Sequence, residues 1–159
     1  MSNSQRHQRA HAFIVPASAQ EVFPLLCPIR ELDWIQPWRC DVKFSTSGLA
    51  ELDCVFTTDF RGGGEVIVTC TRYEPNRAID YLFVAPNATV THLSIVLADQ
   101  DDGKTLLHWV NVSTAIGPGA VESFKRFEDG QYEKELKVLE LSLCHYLETG
   151  EMLRIVDKS

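Results

Sequence analysis

The residues 105–150, TLLHWVNVSTAIGPGAVESFKRFEDGQYEKELKVLELSLCHYLETG, contain the point at which the hydrophobic pattern of the chain changes its period. Before Gly117 the pattern is rich in β-branched and aromatic residues, as is typical of strands. After Gly119 apolar residues recur with a period near 3.6. The change predicts one amphipathic helix of about thirty residues, Gly119 to Thr149, with a bend or loosening at Gly130.

Upstream of this point, residues 41–115 predict an antiparallel meander. The short runs DVKFST, CVFTTDF, EVIVTCTRY, AIDYLFVA, TVTHLSIVLA and TLLHWVNVSTA are separated by turn residues, among them the glycines of residues 61–64. Because so few residues lie in each turn, a parallel crossover has no room. We therefore expect about six antiparallel strands in this part of the chain.

The N-terminal part predicts one strand and two short helices. Residues 9–15 form the strand, and Ser18 to Glu21 supply a capping box for a helix that ends before Pro28. A second helical turn is expected from Arg30 to Ile35, closed by Pro37.

Three stretches carry a resemblance to a known superfamily. FIVPASAQEVFPLLCPIRELDWIQPW, GLAELDCVFTT and LCHYLETG are similar to the START-like (SRPBCC) proteins, which include polyketide cyclases and the birch pollen allergen family. The resemblance covers about residues 10–150. It implies an α+β helix-grip fold in one START-like domain, residues 1–159. In that fold a curved antiparallel sheet of about seven strands wraps around a long C-terminal helix, with two short helices after the first strand and a cavity between sheet and helix.

The composition and charge of the chain favour some classes of partner over others. The chain has 159 residues, 45% hydrophobic and 23% charged, which fits one globular domain. A net charge of −7 disfavours nucleic acid and anionic lipid as partners. The N-terminus has no signal-peptide pattern and no run is long enough to span a membrane, so we expect a cytoplasmic protein. The five cysteines are scattered without a CxxC pair, and we expect all of them to be reduced.

Candidate ligand-binding residues are the large aromatic side chains and one histidine. Each aromatic could equally be an ordinary core residue. In the resembling fold, however, the segment of Trp34 and Trp38 forms the lid of the cavity, and Phe124 and Phe127 lie on the half of the helix that faces it. The candidates are Trp34, Trp38, Phe56, Tyr81, His92, Trp109, Phe124 and Phe127.

Two alternatives stay open for the strand of residues 104–115. An inward face of Trp109, Asn111 and Ser113 would give a pocket with polar groups, whereas an inward face of Leu106, Val110 and Val112 would give a dry core. In the preceding strand, alternation places Leu93, Ile95 and Leu97 inward.

Catalytic residues are not identified by the sequence. Acid–base candidates are Glu31, Asp33, Asp59, Arg72, Tyr81 and His92, since a carboxylate in an apolar pocket has a raised pKa and can transfer protons. No metal site is expected, because His92, His108 and His145 lie on separate elements without ligand spacing. No cofactor is expected either.

Three functions are compatible with these features. The first is a carrier or sensor of a small hydrophobic or amphipathic molecule. The second is a cofactor-free enzyme similar to polyketide cyclases or dehydratases, using the same cavity. The third is a protein-interaction module similar to chaperone activators, with a filled core and an exposed apolar patch. The oligomeric state is left open, a homodimer being one alternative.

Overall fold

The computed structural model describes residues 5–36, 38–59 and 64–155. The predicted turn at residues 61–63, the predicted helix stop at Pro37 and the last four residues of the tail lie outside this part. The strands are β1 (Arg6–Val15), β2 (Asp41–Phe44), β3 (Val55–Thr58), β4 (Val66–Glu74), β5 (Ala78–Ala85), β6 (Thr89–Asp99) and β7 (Thr105–Ala115). The helices are α1 (Ala19–Val22), α2 (Ala120–Glu128) and α3 (Gln131–Thr149), with 3₁₀ turns at Phe23–Leu26 and Arg30–Asp33.

In the described residues the strands form one seven-stranded sheet. Its order is β1-β7-β6-β5-β4-β3-β2, and every neighbouring pair is antiparallel. The meander of β2 to β7 follows chain order because each turn joins adjacent strands, and β1 closes the far edge beside β7. The predicted curved antiparallel sheet is confirmed.

Alternation along the strands decides which face is covered. In β6 the side chains of Leu93, Ile95 and Leu97 are buried, whereas those of His92 and Val96 are exposed. The first three belong to a core that includes Phe13, Val15, Leu107 and Leu143. We call the covered side of the sheet its concave face and the opposite side its outer face.

The segment after β1 folds onto one end of the sheet. The Ser18 hydroxyl accepts a hydrogen bond from the Glu21 N–H at 3.3 Å, as the capping box predicts. The second helical turn ends at Asp33, two residues earlier than expected. Trp34 N–H and Ile35 N–H then both donate to the Glu31 carbonyl, at 3.2 and 2.8 Å, which closes the turn.

The C-terminal helix is divided, which corrects the expectation of one helix of about thirty residues. Helix α2 ends at Glu128 and α3 begins at Gln131, with Gly130 between them at φ +74°. A left-handed residue interrupts the helical hydrogen bonds, and glycine adopts that conformation without the cost that a Cβ imposes. The predicted bend at Gly130 is therefore a complete break.

Helix α3 is the long helix of the helix-grip arrangement. It packs along β1, where the Cys144 thiol lies 3.9 Å from the Ile14 carbonyl oxygen and Leu143 is fully buried. Gly150, at φ +74°, ends the helix with its N–H donating to the Tyr146 carbonyl at 2.7 Å. None of the helices in the described ranges is long and apolar enough to cross a membrane.

Candidate ligand site on the concave face

Strand register aligns the concave-face side chains in rows that run across the sheet, and three of these rows contain the candidate ligand-site residues of β5 and β7. The middle row joins Tyr81 of β5, Leu93 of β6 and Asn111 of β7. Rows of this kind bring side chains from distant parts of the sequence within reach of one another. Two of these rows begin on β4 and end on β1: Val68, Phe83, Thr91, Ser113 and His7; and Cys70, Tyr81, Leu93, Asn111 and Arg9. The third row begins on β5 and also ends on β1: Ile79, Ile95, Trp109 and His11.

The two alternatives for β7 are decided by burial. Trp109, Asn111 and Ser113 lie on the concave face with 7%, 9% and 3% of their surface exposed. Leu106, on the other side, is only half-buried. The inward face of β7 therefore combines a large aromatic ring with two polar groups, the alternative expected for a pocket with polar groups rather than for a dry core.

The polar groups of this face are hydrogen-bonded to each other and to α3. The Asn111 side-chain amide donates to the Tyr132 hydroxyl, and the hydroxyls of Ser113 and Thr91 lie 2.9 Å apart. Burial raises the pKa of Tyr132, so its phenol stays neutral in the physiological range. This side of the site offers neutral donors and acceptors.

Strand β1 adds polar groups that the sequence interpretation missed. His7, Arg9 and His11 alternate along the strand and point to the concave face, in register with Ser113, Asn111 and Trp109. The sequence predicts that the strand begins at Arg9, whereas it begins at Arg6 and so includes His7. The alternation of polar side chains in RHQRAH was the signal that could have identified them.

Phe124 and Phe127, both predicted site residues, are buried beside β1. The His7 ring lies 4.5 Å from the Phe124 ring and 4.8 Å from the Phe127 ring, between centroids. The Arg9 guanidinium lies 5.5 Å from the centre of the Phe127 ring and forms an ion pair with Glu133 at 3.3 Å. Helix α2 is thus held to β1 through aromatic and cationic contacts.

Two nitrogen atoms at this end are buried without a hydrogen-bond partner among the described residues. They are His11 Nε2 and Arg126 Nε. The Arg126 guanidinium lies 5.7 Å from the centre of the Phe127 ring and 5.9 Å from that of Tyr132. A buried polar group without a partner is costly, and a ligand with polar groups can satisfy it.

Part of the concave face on the central strands is accessible. Val66, Phe83 and Thr91 lie on β4, β5 and β6 and are only half-buried, whereas Tyr81 and Ile95 beside them are buried. An inward-facing Phe on a central strand is ordinarily covered by the core. Its exposure here marks the open part of the face.

Trp34 and Trp38 lie in the segment of residues 25–38, which packs on the concave face at Tyr81. Trp34 is fully buried, and its indole N–H donates to the Leu25 carbonyl at 2.9 Å. Trp38 is half-buried, and its indole N–H donates to the Pro28 carbonyl at 2.7 Å. Both indoles are hydrogen-bonded within their own segment, and their role as a lid over a cavity stays a prediction.

Tyr81 connects the sheet to this segment. It is buried on the concave face and its hydroxyl donates to the Leu26 carbonyl at 2.8 Å. The N–H of Glu31 donates to the next carbonyl, that of Cys27, at 2.9 Å. Burial raises the pKa of the Glu31 carboxyl to about 8.

His92, another predicted site residue, lies on the outer face, which corrects its assignment to the ligand site. Its Nε2 is 3.0 Å from a carboxylate oxygen of Asp80, whose other oxygen accepts from the Ser94 hydroxyl at 2.9 Å. Residue 92 alternates with the buried Leu93, so the pleat directs it away from the core. The remaining predicted residue, Phe56, is fully buried opposite Val68.

Two pockets lined by described residues lie away from the predicted cavity. One of about 310 Å³ lies among β2, β3 and the start of β4, with Arg39, Asp41, Asp59 and Glu65 in its walls. The other, of about 100 Å³, lies between the 3₁₀ turns and the loop of Leu49 and Ala50. None of the eight predicted site residues lines either pocket. A cavity closed by Trp34 and Trp38 therefore stays a prediction.

The described part of the chain contains neither a cluster of metal ligands nor a cysteine with a lowered thiol pKa. It contains no group of three or more His, Cys, Asp or Glu side chains placed to hold a metal ion. All five cysteines are free. Burial raises the pKa of Cys40 and of Cys70 to about 12, so these thiols stay protonated and are weak nucleophiles.

Comparison with known proteins supports the fold. No protein-family model and no curated protein sequence matches the chain. Among solved structures, it is similar to DynU16, a protein of the dynemicin biosynthetic locus, with a TM-score of 0.62 and 19% identity over 91% of this chain. It spans 48% of the DynU16 chain, about half of its length.

Two further structures have the same architecture. CalU16 from Micromonospora echinospora matches with a TM-score of 0.58 and 18% identity, covering 86% of this chain and 75% of that one. Ara h 8.0201, a Bet v 1-like protein, matches with a TM-score of 0.59 and 12% identity, covering 87% and 97%. At these identities the likeness concerns the fold alone, and the chain has the α+β helix-grip fold that its sequence predicts.

Proposed function

We propose that the protein binds a small hydrophobic or amphipathic molecule on its concave face, as a carrier or sensor. The observation that carries the proposal is the composition of the inward face of β7, where Trp109 stands beside the polar Asn111 and Ser113. Ligand sites in proteins combine apolar and aromatic walls with a few polar groups that fix orientation.

The accessible part of the concave face gives such a molecule a place to bind. Phe83 and Val66 offer apolar surface on central strands, and Thr91 offers a hydroxyl beside Ser113. A molecule lying there would remove this apolar surface from water, at about 25 cal/mol per Å². The fold supports the same general class of function, because it is a fold of hydrophobic-ligand-binding and polyketide-cyclase-like proteins.

Neighbouring residues of β5 provide a matched test. Phe83 and Leu82 are both half-buried, but Phe83 points to the concave face and Leu82 to the outer face. With the neutral, environment-sensitive dye prodan as probe, we expect binding to the wild type with a blue-shifted emission. Phe83→Ala should weaken that binding about tenfold, the loss expected of an aromatic contact, and Leu82→Ala should leave it unchanged. Absence of binding, or equal effects of the two substitutions, would contradict the proposal.

A protein-interaction role is the second candidate, favoured by an apolar patch at the sheet edge. Phe44 of β2 and Leu52 in the following loop are 65% and 55% exposed, and Val42 and Leu49 are exposed beside them. Exposed apolar side chains on an edge strand promote pairing with another chain. If the partner is a second copy of this chain, sedimentation equilibrium should detect self-association of the wild type. That self-association should weaken in Phe44→Lys. A monomeric wild type would exclude a second copy as the partner.

A further inference from the structure

The larger pocket lies at the β2–β3 end of the sheet and shares no lining residue with the candidate site on the concave face. Its volume of about 310 Å³ is sufficient for a small molecule. Its walls come from the residues before and at the start of β2, from β3 and from the residues that join β3 to β4, and we call it the edge pocket. The lining side chains that carry nitrogen or oxygen are Arg39, Asp41, Thr57, Thr58, Asp59 and Glu65.

Strand pairing brings the polar groups of the edge pocket together. Asp41 of β2 lies opposite Thr57 of β3, and Asp59 follows Thr57 by two residues. Since side chains two residues apart share a face of a strand, these three side chains lie on the same side. One carboxylate oxygen of Asp59 accepts from the Gly64 N–H at 3.2 Å, which holds Asp59 beside Glu65.

The Thr57 hydroxyl in the wall of the edge pocket indicates a ligand. Thr57 is only 8% exposed, and its hydroxyl has no hydrogen bond with any described residue. The adjacent Thr58 is buried to a similar extent, but its hydroxyl donates to the Arg39 carbonyl at 2.6 Å. A hydroxyl this far removed from water is ordinarily hydrogen-bonded. A molecule in the pocket can complete the hydrogen bonding of Thr57.

The charges of the edge pocket favour a cation as that molecule. Asp41 pairs with Lys43 at 2.7 Å, whereas Asp59 and Glu65 form no ion pair with any described residue. Among the described lining residues, three are carboxylates and one, Arg39, is cationic. This excess of negative charge repels an anionic ligand and attracts a cationic one.

We propose that the edge pocket binds a small organic cation through a primary ammonium group. The N–H donors of an ammonium are suited to the Thr57 hydroxyl and to the carboxylates of Asp59 and Glu65, all of which can accept. In the part of the chain that the structure describes, no group of carboxylates is placed to hold a metal ion. The inference concerns a second site and does not depend on a ligand at the concave face.

Two probes of equal chain length test the role of the ammonium: 6-amino-1-hexanol, which is cationic at pH 7, and 1,6-hexanediol, which is neutral. Titrations followed by ¹H–¹⁵N NMR spectra measure both the affinity and the position of binding. We expect the amine to bind about tenfold more tightly than the diol, with amide shifts concentrated at residues 57–59 and 64–65. Asp59→Asn should weaken binding of the amine about tenfold and Thr57→Val about threefold. Asp101→Asn, which removes an exposed carboxylate in the turn between β6 and β7, is the matched control and should leave binding unchanged.

Stability measurements distinguish a hydroxyl that serves a ligand from one that serves the fold. Thr57→Val removes a hydroxyl without a described partner, and it should leave the melting temperature of the protein without ligand unchanged or raise it. Thr58→Val removes the donor to the Arg39 carbonyl and should lower the melting temperature by several degrees. Comparable losses in the two variants would show that the Thr57 hydroxyl is engaged within the fold and would overturn its role.

Nonspecific attraction to the net charge of −7 would give a different set of binding results. The proposal is wrong if the wild type binds the amine no more tightly than the diol, or if Asp59→Asn and Asp101→Asn weaken binding equally. It is also wrong if Mg²⁺ at equal ionic strength shifts the same amides as strongly as the amine does.

Discussion

Trp34 and Trp38 show how two similar side chains in one short segment have different surroundings. Each indole N–H is hydrogen-bonded to a backbone carbonyl of the same segment, which fixes the fold of residues 25–38. Only Trp34, however, is fully buried. The sequence suggested a joint role for the pair, because both are large aromatics beside prolines. Burial depends on packing against distant strands, which that local pattern does not contain.

The difference predicts unequal effects on stability. Trp34→Ala should lower the free energy of unfolding by about 3 to 5 kcal/mol, because it leaves a cavity in the core. Trp38→Ala removes a half-buried ring and should cost less, on the order of 1 to 2 kcal/mol. Urea unfolding followed by circular dichroism measures both values. An equal or larger loss for Trp38 would place it in the core instead.

Glu31 should make stability depend on pH. Its folded-state pKa of about 8 lies above the ordinary value of 4.5, so the folded protein binds more protons than the unfolded chain between these values. The free energy of unfolding should therefore fall as pH rises from about 4.5 to 8. Glu31→Gln removes this term and should stabilise the protein at pH 9 relative to wild type, by on the order of 3 kcal/mol, with little effect at pH 4.

Chemical denaturation at the two pH values provides the comparison. Glu128→Gln, which replaces an exposed carboxylate at the end of α2, serves as the control and should change stability little at either pH. The same effect of Glu31→Gln at pH 4 and pH 9 would show that the carboxyl is solvated.

At the level of elements, α2 is attached to the sheet through a close backbone approach. The N–H groups of Ile116 and Gly119 donate to the carbonyls of Ala88 and Asn87, both at 2.8 Å. A Cβ on Gly117 would lie 2.4 Å from the Asn87 carbonyl oxygen. The switch from strand to helix that the sequence displays at residues 117–119 is thus also a docking point on the turn between β5 and β6.

Gly117→Ala should therefore destabilise the protein by about 2 kcal/mol or more, because the colliding atoms belong to the backbone and must shift. Gly103→Ala is the matched control: a Cβ there meets open space, and the strain of φ +78° alone should cost about 1 kcal/mol. Thermal unfolding of the two variants distinguishes a collision with the Asn87 backbone from the strain of a positive φ angle. Equal losses would mean that the approach at Asn87 is not tight.

The sequence was informative about elements where the pattern is local. Strand alternation identified the inward side of β6, and the change of period located the start of the helical part. The break at Gly130 was anticipated only as a bend, because the apolar stripe continues across it from Phe124 to Leu136. The rows of the concave face depend on the register between strands, so the contacts of His7 with Phe124 and Phe127 could not be predicted.

At the scale of the whole molecule, all five cysteines lie in or beside the core but remain separate thiols. Cys27, Cys54 and Cys70 are buried, Cys40 packs against them, and Cys144 lies on α3. We expect thiol titration of the denatured, unreduced protein to find five free groups. A count of three or fewer would reveal at least one disulfide bridge.

Ligand binding on the concave face is tested most directly by intermolecular nuclear Overhauser effects between bound prodan and methyl groups of the protein. We expect contacts with Val66, Thr91 and Leu93 on the concave face, and none with Val84 and Val96, which lie on the outer face of β5 and β6. Contacts confined to the outer face, or to the edge residues Val42 and Leu52, would contradict a ligand site between sheet and helices.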